Sequence, residues 1–330
     1  MSLGFSSSLI GGVPRLVVAA QTLVDVLMYV DSVPGPGESC LATTCTRQVG
    51  GSFNVAVAAA RLGMRTGYAG RVGTGPNADL IREAFRKEGI ALLRPPVRGR
   101  DSGFDIALVE SSGESRYIGV PGVEVQWTLI DLQSISLERG DAVYVSGYDL
   151  AGQQGSPLVM RDWIRGLGPE ICCVFDPSPP VSYIDREVLT QVLSRTDLVT
   201  LNRREAEIVS GRQDIPTMAG AILGAISQRG AVVLRDGASG AWVCDHEHTL
   251  RHVEGFPASR VVDTTGAGDT HTGAVIAWLG KGYGLVDSVR AGNAAAALSV
   301  AIAGPATGPR ESEVTDLLGR VTPAPFGGSE

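Results

Sequence analysis

Between residues 141 and 234, short apolar runs alternate with amphipathic stretches. That alternation constrains the fold more than any other feature of the chain. Runs at 141–145, 171–175, 198–201 and 231–234 read as buried strands, separated by helical patterns at 156–167, 185–194, 203–209 and 218–229. Strands that alternate with helices pair in parallel, and a parallel sheet must be covered on both faces. The rhythm starts earlier, with a strand at 15–20, a helix at 53–62, a strand at 65–72 and a helix at 77–88. It ends in two alanine-rich helices at 269–279 and 285–303. Two β-rich pieces, about 25–49 and 103–120, do not fit it, and the second holds a hairpin turning at 110–114. Another hairpin spans 241–253. The expected fold is α/β, a three-layer α/β/α core with a mostly parallel sheet, plus a small separate β-sheet built from the two odd pieces.

At 330 residues the chain suits one large α/β domain or two of about 150 residues. A net charge of −7 argues against a protein built around nucleic-acid phosphates, while leaving room for a local anion pocket. The five cysteines, Cys40, Cys45, Cys172, Cys173 and Cys244, are odd in number and lack paired CxxC spacing. Neither a disulfide framework nor a zinc site is expected, and reduced thiols suggest the cytoplasm. No uncharged apolar run reaches membrane-spanning length; Asp25 and Asp31 interrupt the nearest candidate. Residues 1–14 lack the basic start of a signal peptide and, like 321–330, read as flexible ends.

The sharpest local motif is Asp263-Thr264-Thr265-Gly266-Ala267-Gly268-Asp269-Thr270, which leads into an alanine-rich helix. A Gly-Ala-Gly turn at a helix start points backbone N–H groups one way and lets an anion approach closely. An acid at the mouth of such a site repels the anion. That cost makes sense if Asp269 takes a proton from an alcohol beside a phosphate. The plain alternative is a tight turn with Asp269 as helix cap.

This string resembles the C-terminal signature of the ribokinase-like carbohydrate kinases, the PfkB family. Val49-Gly50-Gly51-Ser52-Phe53-Asn54-Val55-Ala56, ending in Ala60-Arg61-Leu62-Gly63, resembles its N-terminal glycine signature, and Leu201-Asn202-Arg203-Arg204-Glu205 its Asn-x-x-Glu segment. The three occur in the family's order, and the resemblance spans about 15–315. It implies a large ribokinase-like domain (15–24, 50–102 and 121–320) and a β-lid (25–49 and 103–120) that closes over a sugar. It implies an ATP-dependent kinase acting on a hydroxymethyl group of a pentose or hexose, with a nucleoside as the alternative substrate. A non-catalytic sensor on the same fold is the rival from another class.

By the same resemblance, Asp269 is the catalytic base, and Gly266, Ala267 and Gly268 form the anion hole. Asp25, Gly50, Gly51 and Asn54 bind the sugar. Asn202 and Glu205 serve the nucleotide phosphates and the water shell of Mg²⁺. Arg235 and Gly237 follow a buried strand where the family binds nucleotide; Arg235 meets either a phosphate or a surface acid. Asn293 is an adenine-side contact or a core asparagine. Backbone oxygens near Asp263, Thr265 and Gly304 resemble a monovalent-cation site, suited to K⁺. Homodimerisation through an exposed lid edge is expected.

Ribokinases proper have an asparagine where this chain has Leu23, and a glutamate where it has Tyr148; both changes favour a more apolar or aromatic ligand face. The glycine signature is one residue shorter than in many members. Gly73-Thr74-Gly75-Pro76-Asn77-Ala78 formally matches a dinucleotide fingerprint, though Pro76 is unusual there. No P-loop string occurs. His246 and His248 read as exposed hairpin histidines rather than metal ligands.

Overall fold

The computed structural model describes residues 15–110, 115–151, 156–247 and 249–320. The expected flexible ends, the 110–114 turn beyond Glu110, and His248 lie outside the described residues. The strands are β1 (Leu16–Val18), β2 (Thr22–Val30), β3 (Thr44–Gly51), β4 (Thr66–Tyr68), β5 (Ala91–Leu92), β6 (Phe104–Glu110), β7 (Ser115–Val120), β8 (Ala142–Ser146), β9 (Cys172–Asp176), β10 (Leu198–Asn202), β11 (Ala231–Arg235), β12 (Gly240–Asp245) and β13 (Arg251–Glu254). The helices are α1 (Phe53–Arg61), α2 (Pro76–Lys87), α3 (Leu129–Gln133), α4 (Pro157–Arg165), α5 (Arg186–Leu193), α6 (Arg203–Ser210), α7 (Ile215–Leu223), α8 (Ala267–Gly280), α9 (Leu285–Ser299) and α10 (Glu311–Arg320).

Nine strands form the main sheet in the order β13-β12-β11-β10-β9-β8-β1-β4-β5. From β11 to β5 every pairing is parallel, and β12 and β13 add an antiparallel edge. Successive residues of one strand feed opposite layers, as the two-residue period of a strand requires. Leu16 and Val18 join the apolar layer with α1, α2, α8 and α9, whereas Val17 and Ala19 join the layer with α4 to α7. The two odd β-rich pieces combine into one four-stranded lid sheet, β3-β2-β6-β7. Its central pair, β2 and β6, is parallel, and the outer pairs are antiparallel.

Helix α8 is buried from Thr270 through Leu279, so it shows no amphipathic face. It lies close to α1 because Gly273 has no side chain; a Cβ there would stand 2.7 Å from both Val55 O and Ala58 Cβ. This approach brings the first turns of α1 and α8 together.

Some boundaries differ from the sequence pattern. Helix α7 starts at Ile215 rather than 218, because the Asp214 carboxylate accepts from the Thr217 N–H at 3.0 Å. It stops at Gly224, and α9 stops at Ser299 rather than 303. The short α3, held by a Thr128–Asp131 capping box, and α10 are helices outside the expected elements. The formal dinucleotide fingerprint is filled from within. The Asp101 carboxylate accepts from the N–H groups of Asn77 (3.1 Å) and Ala78 (2.9 Å), at the start of α2 where a pyrophosphate would sit.

Candidate active site

The C-terminal edge of the parallel sheet collects polar side chains: Asp176 ends β9, Asn202 ends β10 and Arg235 ends β11. Tyr148 lies just past β8, and β2 carries Asp25 onward from β1. Ligands of open α/β sheets bind along this edge.

Asp269 sits in the first turn of α8 and accepts a hydrogen bond from Asn54 Nδ2 of α1 at 2.9 Å. Burial pushes its carboxyl up to about 6, and Asp176 adds to this; Asn54 and Arg235 pull the other way. Asn54 is 5% exposed, and its Oδ1 has no hydrogen-bond partner among the described residues. Gly266 caps α8 at φ 73°, a left-handed conformation, and a Cβ there would overlap the Pro305 carbonyl. Only glycine combines that conformation with that approach. The Ala267 N–H donates to Thr264 O at 3.2 Å. The N–H groups of Gly268 and Asp269 have no acceptor within the helix, as at any helix start.

Arg235 binds several partners at once. Its Nη1 donates to Asp176 Oδ2 (3.0 Å), Thr200 Oγ1 (2.8 Å), Thr272 Oγ1 (2.8 Å) and Gly268 O (3.5 Å). Its Nη2 stands 3.5 Å from Glu205 Oε2. Burial works against its charge, but Asp176 and Glu205 outweigh that and raise its pKa. Arg235 therefore meets buried acids, not the surface acid that was one of its two expected partners. Asn202 and Glu205 form a reciprocal capping box on α6. Burial, then Asp176, pushes Glu205 up to about 7. Gly237 opens an exposed turn after β11 at φ 59°.

On the lid, Asp25 is pushed up to about 7 by burial, then by Asp105 and Asp269. Gly50 lies beside it; a Cβ at that position would overlap Asp25 Oδ2. Gly51 adopts φ 65° at the end of β3. Tyr148 is 46% exposed, and its hydroxyl is pushed up by burial and by Asp269 and Asp105.

Two expected groups are committed internally. Asn293 donates to Val253 O (2.9 Å) and Glu254 O (3.0 Å), and its Oδ1 pairs with His271 Nε2 (3.1 Å). It sits as a core asparagine, the second of its two expected settings. Asp263 accepts from the N–H groups of Thr265 and Gly304, both at 2.9 Å, so the three residues do come together. Those bonds outweigh burial and hold the Asp263 carboxyl below its usual range.

Asp105 and Asp176 were missed by sequence reasoning. Asp176 directly follows the apolar run 171–175 and closes β9. Asp105 is the one acid within the apolar run Phe104-Asp105-Ile106-Ala107-Leu108-Val109.

A lid sheet set over such an edge, with a glycine-started helix presenting an acid, defines a ribokinase-like carbohydrate kinase. The chain belongs to the pfkB family of carbohydrate kinases, whose family model matches residues 13–312. It is 33% identical over 302 residues to the uncharacterized sugar kinase YegV of Escherichia coli K12, covering 91% of this chain and 92% of the relative. It is also 33% identical over 269 residues to 1-phosphofructokinase of the same organism, covering 78% and 81%. Among solved structures, Arabidopsis thaliana ribokinase complexed with ribose and ATP superposes with a TM-score of 0.78 at 23% identity, covering 92% of this chain and 98% of that one.

Proposed function

We propose that this kinase transfers the terminal phosphoryl group of ATP to a hydroxymethyl group of a free sugar, with Asp269 as general base. The observation that carries the reading is the Asp269–Asn54 bond at the start of α8. A carboxyl pushed up to about 6 is a better proton acceptor than an ordinary aspartate, yet is still ionised at neutral pH. The Asn54 amide orients it. The helix-start N–H groups, opened by Gly266, Ala267 and Gly268, face the charge that develops on the transferring group. Asp25, with Gly50, Gly51 and Asn54, binds the sugar from the lid side. Arg235 holds Asp176 and Glu205 in place behind the phosphates, and Asn202 and Gly237 border the nucleotide.

The edge also suits magnesium. Asp176 and Glu205 crowd one arginine, an excess of hard oxygen ligands that favours a divalent cation. Among the described residues no three acidic, histidine or cysteine side chains form a metal cage. When bound, Mg²⁺ would neutralise phosphate charge, with Asn202 and Glu205 reaching its water shell. The Asp263–Thr265–Gly304 brace would place backbone carbonyls around a monovalent cation; faster turnover in K⁺ than in Na⁺ tests that.

Tyr148, half exposed beside the acids, favours a second reading in which a nucleoside base stacks on its ring. Tyr117, Ile118 and Val120 on the outer strand β7 are exposed and fit a lid-to-lid homodimer, which light scattering checks. Coupled ADP-release assays over pentoses, hexoses and nucleosides test the function. Sugar-dependent turnover supports the kinase reading; turnover with nucleosides alone supports the second one.

A further inference from the structure

We infer that Asp105 is a second substrate-binding carboxylate, and that the Asp25–Asp105 pair selects an uncharged polyol and rejects sugar phosphates. The inference rests on the kinase reading and names the substrate class of that site. Asp25 and Asp105 are direct register partners on β2 and β6, and their row continues to Gln48 on β3 and Gly119 on β7. Gly119 ends the row beside Asp105, and Gly50, two residues on from Gln48 in β3, stands diagonally beside Asp25. A Cβ at Gly119 would stand 2.9 Å from Asp105 Oδ1, and one at Gly50 would overlap Asp25. Glycine backbone thus lets each carboxylate lie close against a neighbouring strand, where any side chain would displace it.

Direct neighbours of like charge destabilise a sheet, so the pair needs a reason to exist. Neither carboxylate has a hydrogen bond or ion pair among the described residues, and burial penalises the charge of both. The lid strands contain two basic residues, Arg47 and Arg116. Arg47 is the register partner of Val26, and Arg116 that of Leu108, so both fall on the opposite face of the sheet. Arg47 is bonded to Asn77, and Arg116 to Glu110. The face that carries Asp25 and Asp105 therefore presents acids and no cation.

An independent group points to the same ligand. Asn54 Oδ1 is buried and unpartnered while its amide nitrogen is spent on Asp269. Three acceptors then await donors: two carboxylates and one amide oxygen. A neutral sugar brings several hydroxyl donors and no charge. A phosphate brings acceptors and negative charge, and its oxygens would face the carboxylates.

The test is phosphoryl transfer from ATP to D-ribose, D-fructose, D-glucose, fructose 1-phosphate and fructose 6-phosphate, paired with calorimetric binding of the same compounds. A neutral sugar is expected to exceed the phosphates by at least about 100-fold in kcat/KM, since like-charge juxtaposition is strongly disfavoured. Asp105→Asn keeps the shape and removes one of two like charges, so its melting temperature should equal or exceed the wild type. Its KM for the neutral sugar should rise by roughly 10-fold or more, the worth of a hydrogen bond to a charged group, with a much smaller fall in kcat. Preferred turnover of a sugar phosphate, or an unchanged KM in Asp105→Asn, overturns the pair while leaving the kinase reading intact. If a neutral sugar binds, and binds more weakly to Asp105→Asn, but is not phosphorylated, the kinase reading fails and the pair stands. Absence of binding by every neutral sugar overturns the pair.

Discussion

Asn54 and Asp269 are 215 positions apart in sequence and hydrogen-bonded at 2.9 Å, one in the first turn of α1 and the other in the first turn of α8. The missing side chain at Gly273 lets these helices approach, so the position of the carboxylate follows from helix packing. Asp269→Asn should lower kcat by about 10²–10⁴ without loss of fold. Asn54→Ala should give a smaller loss, because the carboxylate remains but is no longer oriented. Steady-state kinetics with matched melting curves check both; an Asp269→Asn enzyme with wild-type kcat would remove the base assignment.

The pH profile of kcat should show an acid limb near 6, where Asp269 takes up a proton. KM for the sugar should rise as pH falls below about 7, because hydroxyl donors favour the ionised Asp25. The two limbs are read from kcat and KM between pH 5 and 8.

Stability of the ligand-free protein should fall as pH rises from 5 to 8. Burial pushes Asp25, Asp149 and Glu205 up to about 7 and Asp269 up to about 6. The folded state keeps protons that the unfolded chain releases near 4, so this stabilisation is complete below that pH and lost as pH passes 6 to 7. His271, held down to about 3 by burial, opposes the trend by favouring the folded state as pH rises toward 6.5. Four acids outweigh one imidazole. Thermal melts across the range measure the slope, and a flat or rising curve would contradict it.

Arg235→Met should destabilise the fold by about 3–5 kcal/mol, because Asp176 and Glu205 would be left buried without their cation. Chemical denaturation reads this directly. A near-neutral effect would mean that solvent, rather than the arginine, balances these acids.

Gly50→Ala and Gly266→Ala should fail differently. A methyl at 50 collides with a side-chain oxygen, Asp25 Oδ2, which can rotate away, so KM should rise with little change in melting temperature. A methyl at 266 collides with the Pro305 backbone carbonyl from a left-handed residue, so stability and kcat should both drop.

The three motif strings, by their resemblance to the family's, singled out Asp269, Asn54 and Glu205 as candidates, because such strings are recognised from residues at fixed local spacing. The strand–helix alternation made the main sheet legible for the same local reason. Asp105 and Asp176 were not legible, since one acid in an apolar strand acquires meaning only from its neighbour across the sheet. The partners of Arg235 depend on β9, β10 and β11 lying side by side, a fact of sheet order. The setting of Asn293 depends on where β13 runs past α9. What the sequence withheld was register and order, which arise from pairing between distant segments.

The parallel pairing of β2 with β6 joins segments separated by β3 of the lid and by α1, β4, α2 and β5 of the core. The two lid carboxylates are neighbours only where that pairing has formed. A molecule in which β2 and β6 fail to pair therefore lacks the paired carboxylates, however intact its separate segments are. Titrating bound sugar against total protein would accordingly count correctly folded molecules.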